Sequence, residues 1–362
     1  MRNMTRRELL ATLPALALAP RVFAQAKPQI SLKGYNNFTL AVSDVKRSLD
    51  FYQTVFGAPI QARRGQTVIL RIGSGPQFMA LAPAGANKPS ISTMGLSVDN
   101  FNVDRLIGIL AQHGVTRADA AGPADFGSPA SLTGGAMKVR VRMRGPEAGG
   151  AKDGTPDLFF GDPDGIAVQL QDVSYCGGAG TLGNVCPASP EPSPKKGLFA
   201  IKDISHFTNA GADANRSNAF YQNLFGIGIR AKQGASLGLA IGPTIGFVMF
   251  TGGGGGARGA APGTPPPPPR PGSINHVCVN MEKFAPDAVL KTLETVGITP
   301  RGDTPGPAGP MKHYISLRLP NRGGIEGGTP ELYFTDPDGL PIQLQDVTYC
   351  GGGGYLGNQC PA

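Results

Sequence analysis

The sequence predicts an α+β protein made by duplication, with a strand–helix–strand–strand–strand unit running four times along the chain. Three observations carry this reading. Glu331 to Cys350 reads ELYFTDPDGLPIQLQDVTYC, and Asp157 to Cys176 reads DLFFGDPDGIAVQLQDVSYC. Each half carries a helix with a Phe-Tyr pair closed by Phe-Gly, at Phe51-Tyr52…Phe56-Gly57 and Phe220-Tyr221…Phe225-Gly226. Apolar runs of strand length surround these helices and restart within each half.

The hairpins anchor the pattern. In Asp336-Pro337-Asp338-Gly339 the proline sets φ for the first turn position, an Asp side chain caps the turn, and glycine accepts positive φ. Past it, Pro341, Gln343 and Gln345 should share one face of a strand, with Leu340, Ile342 and Leu344 on the other. In chain order, strands are expected at 37–42, 68–72, 77–81, 92–98, 137–143, 157–160 and 167–173, with helices at 44–56 and 103–113. The second half repeats this with strands at 204–209, 237–241, 246–250, 274–281, 314–319 and 331–334, and helices at 214–225 and 286–296. Residues 251–273 are Gly- and Pro-rich and read as a loop.

The chain of 362 residues suits two domains. They are expected at 30–186 and 201–362, joined by a Pro- and Ser-rich linker at 187–200. Residues 1–26 read as an export signal: Arg6-Arg7 precedes an apolar run, and Ala24-Gln25-Ala26 suits cleavage. The pattern looks like a twin-arginine signal, with an ordinary secretory signal as the competing reading. Its apolar run is short for a membrane span. A periplasmic or secreted protein follows, and because the twin-arginine route carries folded proteins, a loaded metal is worth seeking. Without the signal, 29 Lys and Arg face 24 Asp and Glu, a net of +5 with no basic run, which argues against nucleic acid as a partner.

The cysteines agree with export. Cys176 and Cys186 repeat the spacing and surroundings of Cys350 and Cys360. In an oxidising compartment each pair should close a small loop, stabilising by about 2–3 kcal/mol. Metal ligation is the competing reading, but no Cys-x-x-Cys is present. Cys278 is left as a buried strand thiol.

With four such units, the Phe-Tyr…Phe-Gly helices and two Asp-Pro-Asp-Gly hairpins, the chain from Asn37 to Asp346 resembles the vicinal-oxygen-chelate superfamily. That group includes glyoxalase I, the bleomycin-resistance proteins and the extradiol dioxygenases. The resemblance implies that units pair into two eight-stranded open cups, with metal ligands on the first strand of each unit and on the strand after the hairpin. These positions fall on His206, His276 and Gln343 in the second half, and on Asn37, Thr93 and Gln169 in the first. The second cup is therefore the candidate metal site, for Fe(II), Mn(II) or Zn(II), and the first is degenerate. Tyr333 falls where the dioxygenases place a tyrosine near substrate, while Glu331 and His313 are further candidates for a catalytic role.

Two imidazoles and one oxygen ligand leave positions open for substrate. Gln343 stands where the dioxygenases have Glu, although glyoxalase-like relatives do use Gln. The resemblance implies a metal-dependent enzyme of the dioxygenase or glyoxalase type, acting on a small oxygen-rich or aromatic substrate. The alternatives are a metal-free binding protein of the bleomycin-resistance type, or a structural protein whose site is lost. The chain is expected to be a monomer or homodimer.

Overall fold

Each Asp-Pro-Asp-Gly run makes the expected hairpin, with Gly339 at φ 82° and Gly165 at φ 84°. The computed structural model describes residues 29–119, 122, 124–252, 271–303 and 307–361. The expected export signal and most of the 251–273 loop lie outside these residues.

The first half runs β1 (Leu32–Val42), α1 (Val45–Phe56), β2 (Ile60–Arg64), β3 (Thr67–Arg71), β4 (Phe78–Pro83), β5 (Ser90–Val98), α2 (Val103–Gln112), β6 (Thr116–Arg117), α3 (Pro129–Thr133), β7 (Lys138–Arg144), β8 (Thr155–Gly161) and β9 (Ala167–Asp172). The second runs β10 (Ile201–Ala210), α4 (Ala214–Phe225), β11 (Ile229–Gln233), β12 (Ser236–Ala240), β13 (Phe247–Thr251), β14 (Ser273–Met281), α5 (Pro286–Glu294), β15 (Thr299–Pro300), β16 (Lys312–Arg318), β17 (Thr329–Thr335) and β18 (Pro341–Asp346). Helix α1 starts where Asp44 accepts the Arg47 amide and stops at Gly57, whose left-handed φ of 61° suits glycine. Helix α4 repeats this with Asp213 and Gly226.

The sheet orders are β2-β3-β4-β1-β5-β9-β8-β7-β6 and β11-β12-β13-β10-β14-β18-β17-β16-β15. Each is the expected eight-stranded cup, extended by a two-residue edge strand. Strands β2 and β11 were not expected from their sequences. IQARR and IRAKQ are too polar to read as strands, and polar edge strands are how sheets avoid pairing with neighbours.

Alternation decides what each face holds. Leu332, Phe334, Ile342 and Leu344 are buried on the convex side, while Gln343 and Gln345 face the concave side. The convex faces of the two halves meet in one apolar core: Phe38 lies edge-on to Phe207 at 6.2 Å, and Phe334 packs on Phe51 and Phe56 at 6.2 and 6.0 Å. The hairpin of each half also docks on the helix of the other. Tyr52 donates to Asp336 at 3.1 Å and Tyr221 to Asp162 at 3.3 Å, while Arg47 pairs with Asp338 and Arg216 with Asp164. The segment joining the halves is docked too, with Glu191 bridging to Ile60 and the Leu198 and Phe199 amides donating to Val55.

Cys176–Cys186 and Cys350–Cys360 are bonded, and Cys278 is free and buried. Non-reducing peptide mapping of exported protein should therefore find two bridges and one thiol. Free thiols at Cys350 and Cys360 in that protein would overturn the pairing. No helix among the described residues is long and apolar enough to cross a membrane.

Candidate metal centre in the second cup

Strands β10, β14 and β18 lie side by side, so side chains facing the same way on each must meet. In register, Cys278 of β14 sits opposite His206 of β10 and Gln343 of β18, and His276 is two residues from Cys278 on the same face. The imidazoles of His206 and His276 stand edge to face with centroids 5.5 Å apart. Gln343 lies within interaction range of both rings. The three expected ligand positions therefore converge on the floor of one cup.

The donor chemistry suits a metal. His276 Nδ1 lies 2.8 Å from Asn275 Oδ1, an acceptor, so this nitrogen carries the proton and Nε2 keeps its lone pair. His276 Nε2 is buried and has no partner. His206 Nδ1 lies 3.2 Å from the Ser205 hydroxyl, and its ring stacks on Phe247 at 4.3 Å and 10°. Outer partners of this kind fix ring orientation in metal sites. The Gln343 amide lies beside both imidazoles, yet no hydrogen bond of normal geometry reaches either of its buried polar atoms, an arrangement that costs roughly 1–3 kcal/mol per group unless something is bound. Burial pushes His276 down to about 4, and burial together with the charge of His276 holds His206 well below the usual range. Both imidazoles are thus neutral near pH 7, the state in which they ligate.

Among the described residues, no three His, Cys, Asp or Glu side chains come together as a metal cluster. A metal held here would need the amide oxygen of Gln343 as its third protein ligand. Cys278 lies on the same floor, but burial pushes its thiol up, so it stays protonated.

Tyr333 stands beside the pair, edge-on to His276 at 5.1 Å and stacked on Tyr314 at 5.0 Å. It is partly exposed on the cup face, and burial, then the charge of Glu331, raises its phenol well above the usual range. It is a neutral hydrogen-bond donor at the site. Glu331, a further candidate for a catalytic role, is not solvated. It is buried, 2.9 Å from Arg318 Nε, and accepts from the Tyr349 hydroxyl at 3.1 Å. Its charge is already balanced.

His313 does not reach the cup. Strand β16 begins at Lys312, which places His313 opposite Phe334 on the convex side. There it is 4% exposed, with Nε2 3.1 Å from Glu294 of α5, so it is neither a cup residue nor an exposed loop histidine.

Sequence reasoning missed the residues that hold the site in shape. Arg318 is fully buried and also donates to the Gly323 and Gly352 carbonyls. Gly352 lies in the Cys350–Cys360 loop, and Tyr349, just before it, packs on His206 at 5.5 Å. The disulfide loop thereby closes one end of the cup. The signal was the second copy: Arg144, Asp157 and Tyr175 form the same network in the first half.

In the first cup, Asn37, Thr93 and Gln169 occupy the ligand positions. Gln169 donates to Tyr175 at 3.4 Å and Asn37 Nδ2 to Asn36 at 2.9 Å, while Asn37 Oδ1 and Thr93 Oγ1 are buried without partners.

An eight-stranded cup whose floor brings two neutral imidazoles and an amide together is the arrangement that the resemblance to the vicinal-oxygen-chelate fold implies. Residues 34–170 match the sequence model of the Glyoxalase/Bleomycin resistance protein/Dioxygenase superfamily. No curated protein sequence matches the chain. Solved structures match across both halves at low identity. The 2,3-dioxygenase LapB from Pseudomonas sp. KL28 is 14% identical, with a TM-score of 0.55 over 92% of this chain and 96% of that one. The homoprotocatechuate 2,3-dioxygenase from Brevibacterium fuscum, in complex with 3,4-dihydroxyphenylacetate, is 16% identical, with a TM-score of 0.54 over 89% and 83%. The Mn(II)-bound glyoxalase from Novosphingobium aromaticivorans is 15% identical, with a TM-score of 0.52 over 87% and 82%. Residues 34–170 thus carry the sequence pattern of this superfamily, and both halves share the fold of these structures.

Proposed function

We propose an exported, metal-dependent enzyme of the extradiol-dioxygenase or glyoxalase type, acting in the second cup on a small oxygen-rich or aromatic molecule. One observation carries this: His206, His276 and Gln343 meet with His276 Nε2 and both Gln343 polar atoms buried and unpaired. His206, His276 and Gln343 would hold Fe(II), Mn(II) or Zn(II). Such an ion supplies Lewis acidity toward a substrate oxygen. Tyr333 offers its hydroxyl to that substrate, and the stacked rings of Tyr314 and Tyr333 give it a flat apolar wall. Arg6-Arg7 and the two disulfides support export.

Gln343 in place of a carboxylate favours a second reading, a metal-free binding protein. Metal analysis of protein purified from its own export compartment separates the two. Stoichiometric metal supports the enzyme, and metal-free protein that also refuses Fe(II), Mn(II) and Zn(II) supports the binder. Gln343→Glu is expected to tighten Fe(II) binding about tenfold or more, since one added attraction of about 1.4 kcal/mol gives that factor. Weaker binding in that variant would remove Gln343 from the ligand set.

A further inference from the structure

The first cup lacks the imidazoles but is not filled. It holds a cavity of about 900 Å³, ample for a small organic molecule. Arg64 and Thr67 line one side and Arg140, Arg142 and Phe159 the other, joined by Phe126. Phe126 and Phe159 lie edge to face at 6.4 Å, and Arg64 sits over the Phe126 ring at 6.0 Å.

The charges on β7 are unequal in kind. Arg144 is 2.9 Å from Asp157 and has its match in Arg318 of the second half. Arg140 and Arg142 have no such match: Tyr314 and Ser316 hold those positions in the duplicate strand. Both guanidinium groups donate to one neutral oxygen, the Ser131 carbonyl, so two like charges are held side by side. Their other partners are the Asp119 and Gly122 carbonyls, again neutral, and Arg142 Nε is buried without a partner. Among the described residues neither makes an ion pair. Burial, and then the charge of Arg140, lowers Arg142. Such a pair lacks an anion, and guanidinium recognises a planar carboxylate with two parallel hydrogen bonds.

We infer that the first cup is a metal-free binding site for a small aromatic carboxylate, its carboxylate held by Arg140 and Arg142 and its ring by Phe126 and Phe159. This lies in the other half from the proposed metal centre and stands apart from it.

The test is calorimetric titration of the full chain, in buffer with chelator, against benzoate, acetate and inorganic phosphate. Benzoate should bind saturably, one per chain, and more tightly than either small anion. Replacing Arg140→Tyr and Arg142→Ser together should weaken benzoate at least about tenfold, the scale of one lost charge-assisted bond. These are the residues that the duplicate strand already carries, and a thermal melt checks the fold. Should that double variant fail to fold, Arg142→Lys replaces it and should show a smaller loss. His206→Ala should leave benzoate affinity unchanged. The inference is overturned if benzoate does not saturate, if acetate or phosphate binds as tightly, if the arginine variant keeps full affinity, or if His206→Ala removes binding.

Discussion

His206→Ala is expected to abolish metal binding by the second cup. The ring it removes is one of only two imidazoles on that floor, and its orientation is set by Phe247 and Ser205. What remains is His276 and an uncharged amide, and two such ligands do not hold a divalent ion against water. Losing merely an outer partner of a ligand typically costs 10–100-fold, so the expected loss exceeds about 100-fold. Equilibrium dialysis against Fe(II), Mn(II) and Zn(II) measures it, with a melt to show that the variant folds. Retained stoichiometric binding would mean that the metal sits elsewhere.

Arg318→Ala is expected to destabilise the protein by about 3–5 kcal/mol, the usual cost of stripping one partner from a buried ion pair. Glu331 would keep its charge in an apolar surround, and the Gly323 and Gly352 carbonyls would lose their donor. The first half supplies an internal control. There Arg64 lies 3.9 Å from the same Asp157 oxygen that Arg144 contacts, so Arg144→Ala leaves a second cation nearby and should cost less. Replacing both members of the second pair, as Arg318→Met with Glu331→Leu, should recover much of the loss, because no uncompensated charge remains. Urea denaturation reads all three variants. A cost below about 1 kcal/mol for Arg318→Ala would show that water reaches Glu331.

Much of this was legible in the sequence. Local turn chemistry and the repeated Phe-Tyr helices fixed the units, and the resemblance put His206, His276 and Gln343 on three strands that do meet. His313 went astray because strand parity turns on a single residue: starting β16 at Lys312 sends His313 to the convex face. The network of Arg318, Glu331 and Tyr349 joins residues 13 and 18 positions apart and closes only when β16, β17 and the disulfide loop assemble. Asp162 and Asp336 were fully explained as turn residues, which hid their second role. Nothing local announces that a turn will also accept a tyrosine hydroxyl 284 positions away.

That reciprocal docking decides how the chain comes apart. Each hairpin grips the opposite helix, and both convex faces share one apolar core. Separating the halves would strip Phe334 from Phe51 and Phe56 just behind the strand that carries Tyr333. The duplicated chain is therefore expected to unfold as a single cooperative unit, with one calorimetric transition whose calorimetric and van't Hoff enthalpies agree. The half whose cup carries no histidine is expected to contribute to the melting temperature of the half whose cup carries two.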